Sequence, residues 1–298
     1  MSDIEIKSYR YLRMTIVVLL IGLGAAVFHQ TRRQDFQLLG SISAYYFTPV
    51  HGIFVGVLMA AGACMIALKG TTEMEDVLLN FAGMAAAVVA LVPTTRGEDF
   101  ETAVRACRQK AGPLLTEQAA NGQLDCPTVE ALAAATRANV ENNMTSLLVI
   151  GGLGLVVAVL FALRDLQGGG LVSRTYLWGL GIAIVMWGIS CVGLWVYTDW
   201  FIQYAHYVAA VMMFFCIFIV AIANALRRNV RESSMRLVFT RGPVALRNLR
   251  RALLTWPLGC YAWVAWAMLV GVVVAGGLFV RGIITLFWLE VVLASLFI

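Results

Sequence analysis

Glu290 and His206 are the two residues whose chemistry fits least with their surroundings in this sequence. Glu290 stands in LFWLEVVLASLFI, nine residues past Arg281, which is about 13 Å into an apolar run at helical rise. An acid at that depth costs roughly 2.5–3.5 kcal/mol on insertion scales. It must face a bundle interior or a wet cavity. There it either keeps its proton, because desolvation disfavours the charged form, or accepts a hydrogen bond from a neighbouring donor. Its use is a proton site, a polar ligand contact or a structural hydrogen bond between helices. His206, in TDWFIQYAHYVAAVMMFF, lies just inside another apolar run, beside Tyr204 and Tyr207. An intramembrane histidine can relay protons, bind a metal or donate to a ligand. It can also be satisfied by a neighbouring carbonyl. With no second histidine at i+3 or i+4, the spacing does not favour a metal, and no metal or cofactor is expected.

A third concentration of chemistry is SISAYYFTPVHG, residues 41–52. Ser41, Ser43, Tyr45, Tyr46, Thr48 and His51 place hydroxyls and an imidazole in one polar stretch between two apolar runs. Ser41 and Ser43 with His51 make a nucleophile and base on paper, but no acid follows at a spacing that would complete a triad. The chain has no G-x-S-x-G, H-E-x-x-H or phosphate-binding glycine loop. No catalytic residue is therefore assigned, and an enzyme is the less favoured class.

These residues need a scaffold, and composition says which kind. Of 298 residues, 60% are hydrophobic and 13% charged, against about 25% charged in a soluble domain. The chain must use a bilayer as solvent, and the long apolar runs make the spans helices rather than barrel strands. At about 17–25 residues per span, eight are expected, at roughly 12–28, 51–68, 77–93, 145–163, 175–197, 202–226, 257–280 and 282–298. The last two are separated only by Arg281 and Gly282, so they form either a tight hairpin or one span with a re-entrant segment. The fold class is an all-α polytopic bundle with a small helical extracytoplasmic cap. Its parts are 1–93, 94–144, 145–226, 227–256 and 257–298.

Residues 227–251 hold eight arginines against one glutamate. The positive-inside rule makes this loop cytoplasmic, and with eight spans both termini share its side. Arg227, Arg228, Arg231, Arg236, Arg241, Arg247, Arg250 and Arg251 enforce topology or contact anionic headgroups, at roughly 1 kcal/mol per basic residue. The mix of basic and apolar residues from 236 to 256 disfavours nucleic acid as a partner. Residues 94–144 are then outside and read as two short helices joined by a Gly/Asn-rich turn. Cys107 and Cys126 there would close a loop worth roughly 3 kcal/mol as a disulfide. Cys64, Cys191, Cys216 and Cys260 sit in apolar runs and read as small buried hydrophobes. Asn80 and Asn224 read as interhelical hydrogen-bonding residues. Gly52, Gly56 and Ala60, and Gly151, Gly152, Gly154, Gly179 and Gly181, read as close-packing surfaces.

SISAYYFTPVHGIFVGVLMAAGACMIALKG, with NFAGMAAAVVALVPT after it, resembles a family of uncharacterised bacterial multi-pass membrane proteins. The family pattern is S-I-S-A-Y-Y-x-T, an arginine–aspartate pair, F-V-G opening a span, and V-A-x-x-P-T closing the next. Ser41, Ser43, Ala44, Tyr45, Tyr46, Thr48, Phe54, Val55, Gly56, Asn80, Ala82, Gly83, Pro93 and Thr94 match it. HYVAAVMMFF and LFWLEVV put His206 and Glu290 on family-like positions. His51-Gly52 stands where the arginine–aspartate pair is expected. The resemblance covers about 130 residues and implies a helical membrane bundle, with no established reaction; a bacterial inner membrane is the expected location.

Two functions are carried forward. In the first, an outward-facing polar site built from residues 41–52, His206 and Glu290 binds a lipid or small amphiphile. The protein then serves as a sensor, an accessory subunit of an envelope complex or a self-assembling module. In the second, Glu290 and His206 serve a proton-coupled transporter or channel. Membrane lipids, anionic headgroups and a homo-oligomer or larger complex are the expected partners.

Overall fold

A computed structural model describes residues 3–33, 36, 38–39, 41–70, 72–94, 129–168, 172–234 and 270, with side chains from Tyr9 and, in the last helix, to Asn224. Both final apolar runs except Val270, together with Glu290, the Cys107–Cys126 pair and Arg236, Arg241, Arg247, Arg250 and Arg251, lie outside the described residues.

The described residues form six α-helices and no strand. They are α1 (Asp3–Arg33), α2 (His51–Ala67), α3 (Glu73–Leu91), α4 (Val129–Gln167), α5 (Arg174–Val196) and α6 (Thr198–Ser234), with a 3-10 segment Ser43–Phe47 between α1 and α2. Five helices are long and apolar enough to cross a membrane, and α2 is a shorter apolar helix.

Start signals are local. Thr72 caps α3 by accepting the Glu75 N–H at 3.3 Å, and Glu73, Glu75 and Asp76 complement the helix dipole there. Ser173 caps α5 by accepting from Tyr176 N–H at 3.1 Å. Before α2, Thr48 Oγ1 donates to the Tyr45 carbonyl at 2.7 Å and accepts from Val50 N–H at 3.2 Å. This fixes the chain direction around Pro49. A single residue, Tyr197, joins α5 to α6.

The helices differ in how much they bury. Of the five long apolar helices α3 is the most buried and α4 the least, so α3 is the centre and α4 the periphery. The reason is visible in the side chains. Ala82, Ala85, Ala86 and Ala90 in α3 are at most 1% exposed, and small residues let neighbouring backbones come close. α1 buries one stripe, Ile16, Leu23, Val27 and Thr31, and α6 another, Phe201, Ala205, Ala209, Met213 and Ile217. α4 and α5 turn Ile150, Leu153, Leu160, Trp178 and Val185 outward, where a bilayer is the fitting solvent.

Three expectations change. The helical segment before the fourth span is not a separate cap helix. It runs unbroken into α4, a 39-residue helix, because no glycine or proline interrupts Val129–Ile150 and alanine, glutamate and arginine propagate a helix well. α6 likewise continues through Arg227, Arg228 and Arg231 to Ser234. The close contact of α2 is not at Gly52 and Gly56, which are exposed with no atom near a built Cβ. It is at Gly62, whose Cβ would stand 2.7 Å from the Gly83 carbonyl oxygen of α3. In the second glycine group, Gly152 abuts Trp187 and Gly179 abuts Val77, while Gly154 and Gly181 face open space.

Candidate functional site: a buried polar knot at one end of the bundle

Helix direction brings the end of α1, the start of α2, the end of α3 and the start of α6 together at one end of the bundle. Residues 41–50 fold into that end. Tyr45 is fully buried, and Ser41 and Ser43 are each 6% exposed. Leu23, Val27, Val50, Phe54 and Val57 pack around Tyr45. The stretch is therefore a plug set into the helices.

Hydrogen bonds pin it on two sides. Thr31 Oγ1 donates its one proton to the Val27 carbonyl at 2.9 Å, so the Tyr45 hydroxyl is the donor in its 2.7 Å contact with Thr31 Oγ1. This ties the plug to α1. On the other side, His206 Nε2 lies 2.9 Å from Ser43 Oγ. His206 Nδ1 meets the Val92 carbonyl at 2.5 Å. A carbonyl only accepts, so Nδ1 carries a proton. In the neutral ring Nε2 is then the acceptor and Ser43 the donor. Val92 is the C-cap of α3, where carbonyls lack intrahelical partners. His206 is 2% exposed. One imidazole thus closes the end of α3, orients the Ser43 hydroxyl and anchors both to α6.

Tyr46, Phe47 and His51 lie toward the surface, whereas Ser41 stays buried. Ser41 Oγ accepts from Ala44 N–H at 3.0 Å, a local turn bond. His51 is exposed and donates from Nδ1 to the Tyr46 carbonyl at 2.9 Å. Its ring stands edge-on to Tyr46 at 4.2 Å. Tyr46 also meets Phe47 and Phe54 edge-on, at 5.4 and 6.3 Å. Partial burial raises the Tyr46 phenol above its ordinary pKa. The plug therefore has a buried polar root, Ser43 and Tyr45, and an aromatic rim of half-exposed Tyr46 and Phe47 with exposed His51.

His51 is not the partner of either serine. Ser43 and His206, 163 residues apart, form the contact instead. His29 is exposed at the same end, and no group of three metal-ligating side chains occurs among the described residues. No protein-family model, curated protein or solved structure matches the chain.

A second polar contact closes the opposite end of the α3–α6 pair. Glu75 is 4% exposed and accepts from Asn224 Nδ2 at 2.7 Å. Asn224 is therefore the interhelical donor its position suggests, whereas Asn80 is exposed. Gly70 folds against Glu75 so tightly that a Cβ there would meet the glutamate side chain at 2.6 Å, and its N–H donates to Asp76. Glu75, Thr31 and the Val92 carbonyl are the polar partners that sequence reasoning missed. For Glu75 a signal existed: alternating spans put the 69–76 turn on the side of Asn224. Cys191 and Cys216 are buried free thiols and Cys64 is half-buried.

Proposed function

We propose that this chain is a polytopic membrane protein that binds a lipid or small amphiphile at the end of the bundle occupied by the 41–52 plug. The supporting observation is the plug itself. It combines a buried polar root at Ser43, Tyr45 and His206 with an aromatic rim of half-exposed Tyr46 and Phe47 and exposed His51. A rim of that kind suits a molecule with a polar head and an apolar tail, since aromatic residues with a polar tip favour the membrane–water boundary. Ser41 and Thr48 shape the turn, and Glu290 would extend the site from the C-terminal region.

The full reading has eight spans in a bacterial inner membrane, with both termini and the arginine-rich loop cytoplasmic. The plug faces outside, beside a segment bridged by Cys107 and Cys126. Anionic headgroups meet Arg227–Arg251, and the protein acts as a sensor, accessory subunit or self-assembling module. The test is identification by mass spectrometry of lipids that co-purify with the protein. Tyr46→Ala and His51→Ala should deplete one lipid class selectively. Unchanged lipid profiles in both variants sink the reading. The competing proposal, proton-coupled transport through Glu290 and His206, predicts liposome proton flux that Glu290→Gln abolishes.

A further inference from the structure

We propose that Ser43 is a histidine-activated nucleophile placed to accept an acyl group from a membrane-borne ester. The arrangement at Ser43 is the one nucleophilic catalysis needs: a hydroxyl, a base within hydrogen-bond reach, and a third group that orients the base. Ser43 Oγ lies 2.9 Å from His206 Nε2. The Val92 carbonyl holds Nδ1–H at 2.5 Å, which selects the tautomer whose Nε2 lone pair faces the serine. That carbonyl takes the place an aspartate fills in a triad. It is fixed by the end of α3, and Val92 is fully buried, so the base cannot turn away. Ser43 is 6% exposed, so an ester would have to reach it past its neighbours in the plug. Ser43 is the first residue of the 3-10 segment, between half-buried Ile42 and Ala44 and close in sequence to the rim.

The chemistry balances with water as co-reactant. Ser43 Oγ adds to the ester carbonyl carbon as its proton passes to His206 Nε2. The adduct collapses, the carbon–oxygen bond to the alcohol breaks, and the alcohol leaves with that proton. Water, deprotonated by the same nitrogen, then cleaves the acyl-serine to a carboxylic acid and restores Ser43. The choice of an ester with an acyl chain rests on the amphiphile reading above, whereas the nucleophilicity of Ser43 does not.

The test uses an alkyl fluorophosphonate on the full-length protein in detergent or lipid nanodiscs. Attack on phosphorus expels fluoride and leaves a stable phosphonyl-serine, which peptide mass spectrometry locates. Labelling at Ser43 is expected, lost in Ser43→Ala and slowed about 100-fold or more in His206→Ala. Ser146→Ala, on the exposed face of α4, should label like the wild type. Where His206→Ala is not monodisperse, His206→Asn replaces it, retaining an amide donor toward Val92 without a basic nitrogen. A folded wild-type protein that takes no label at Ser43, or a His206 variant that labels at the wild-type rate, overturns the proposal. Label at Ser43 without lipid selectivity would sustain the nucleophile and refute the amphiphile site. Lipid selectivity without label would do the reverse.

Discussion

Gly83→Ala tests whether the α2–α3 contact is set by backbone rather than by side chains. A Cβ on Gly83 would lie 2.5 Å from the Gly62 carbonyl oxygen and 2.7 Å from Ile66 Cγ1. A relaxed carbon–oxygen contact is about 3.3 Å or longer, so the carbonyl must retreat by roughly 0.8 Å. Ile66 can change rotamer, but a helical carbonyl moves only with its helix. Overpacking of this kind costs about 1–3 kcal/mol. Helix propensity acts in the opposite direction, favouring alanine over glycine by up to about 1 kcal/mol. Gly56→Ala isolates that smaller effect, because a Cβ at Gly56 meets nothing within 4 Å. The expected gap between the two variants is therefore about 1–3 kcal/mol, with Gly83→Ala the less stable. Gly62→Ala meets the reciprocal clash, its Cβ 2.7 Å from the Gly83 carbonyl. Once one methyl has parted the helices, the second enters space already opened. The double variant should then fall short of the sum of the singles by at least about 0.5 kcal/mol. Unfolding in bicelles by SDS titration, or steric trapping in nanodiscs, reads these differences. A Gly83→Ala protein as stable as Gly56→Ala, or strict additivity in the double variant, would refute a backbone-limited crossing.

Asn224→Ala removes a donor from a carboxylate that is 4% exposed and should destabilise by about 1–3 kcal/mol. Glu75→Gln keeps an acceptor oxygen for Asn224 and should cost less, so the same unfolding assay should rank the two. A larger loss in Glu75→Gln would contradict the assignment of Asn224 as donor. Trp187→Phe deletes the 2.8 Å bond from Nε1 to the Leu148 carbonyl, which links α5 to α4. About 0.6 kcal/mol is expected, whereas Gly152→Leu, where even a Cβ would stand 3.0 Å from the indole, should cost several times more. Thermal scans that place the two variants level would count against close packing at that crossing.

Much of the helical layout was legible because apolar run length maps onto membrane thickness. The expected span 51–68 is helix His51–Ala67, and 175–197 is Arg174–Val196. What run length does not report is where a helix stops. Hydropathy falls at Glu141–Asn143 and again after Asn224, yet α4 begins at Val129 and α6 ends at Ser234. Helices of good formers outlast the apolar run that marks the bilayer. Glycine spacing misled for a related reason. Four-residue spacing marks a face but not what stands opposite it, and Gly62 is matched by Gly83 while Gly56 is matched by nothing near.

The polar site divides along the same line. Residue type singled out His206, Ser43, Tyr45 and Asn224, since each is out of place in or beside an apolar helix. Pairing was hidden, because the partners are 163 residues away for His206 with Ser43 and 149 for Asn224 with Glu75. Sequence proximity suggested His51 for the serines, and it was the wrong histidine because α2 carries His51 outward. Glu75 was missed because an acid in a first helical turn needs no explanation beyond the dipole. Its burial comes from α6 and from Gly70 folding over it. Both polar contacts use the same two helices, with Val92 and Glu75 at opposite ends of α3 and His206 and Asn224 at corresponding places on α6. Between them the contact is apolar, through Phe81, Ala82, Ala85, Val89, Ala209, Met213 and Ile217. Apolar packing alone would tolerate a slide along the helix axis, because lipid supplies no penalty for trading one apolar contact for another. Directional bonds at both ends fix that register. The register in turn sets how far His206 stands from the Val92 carbonyl and the Ser43 hydroxyl.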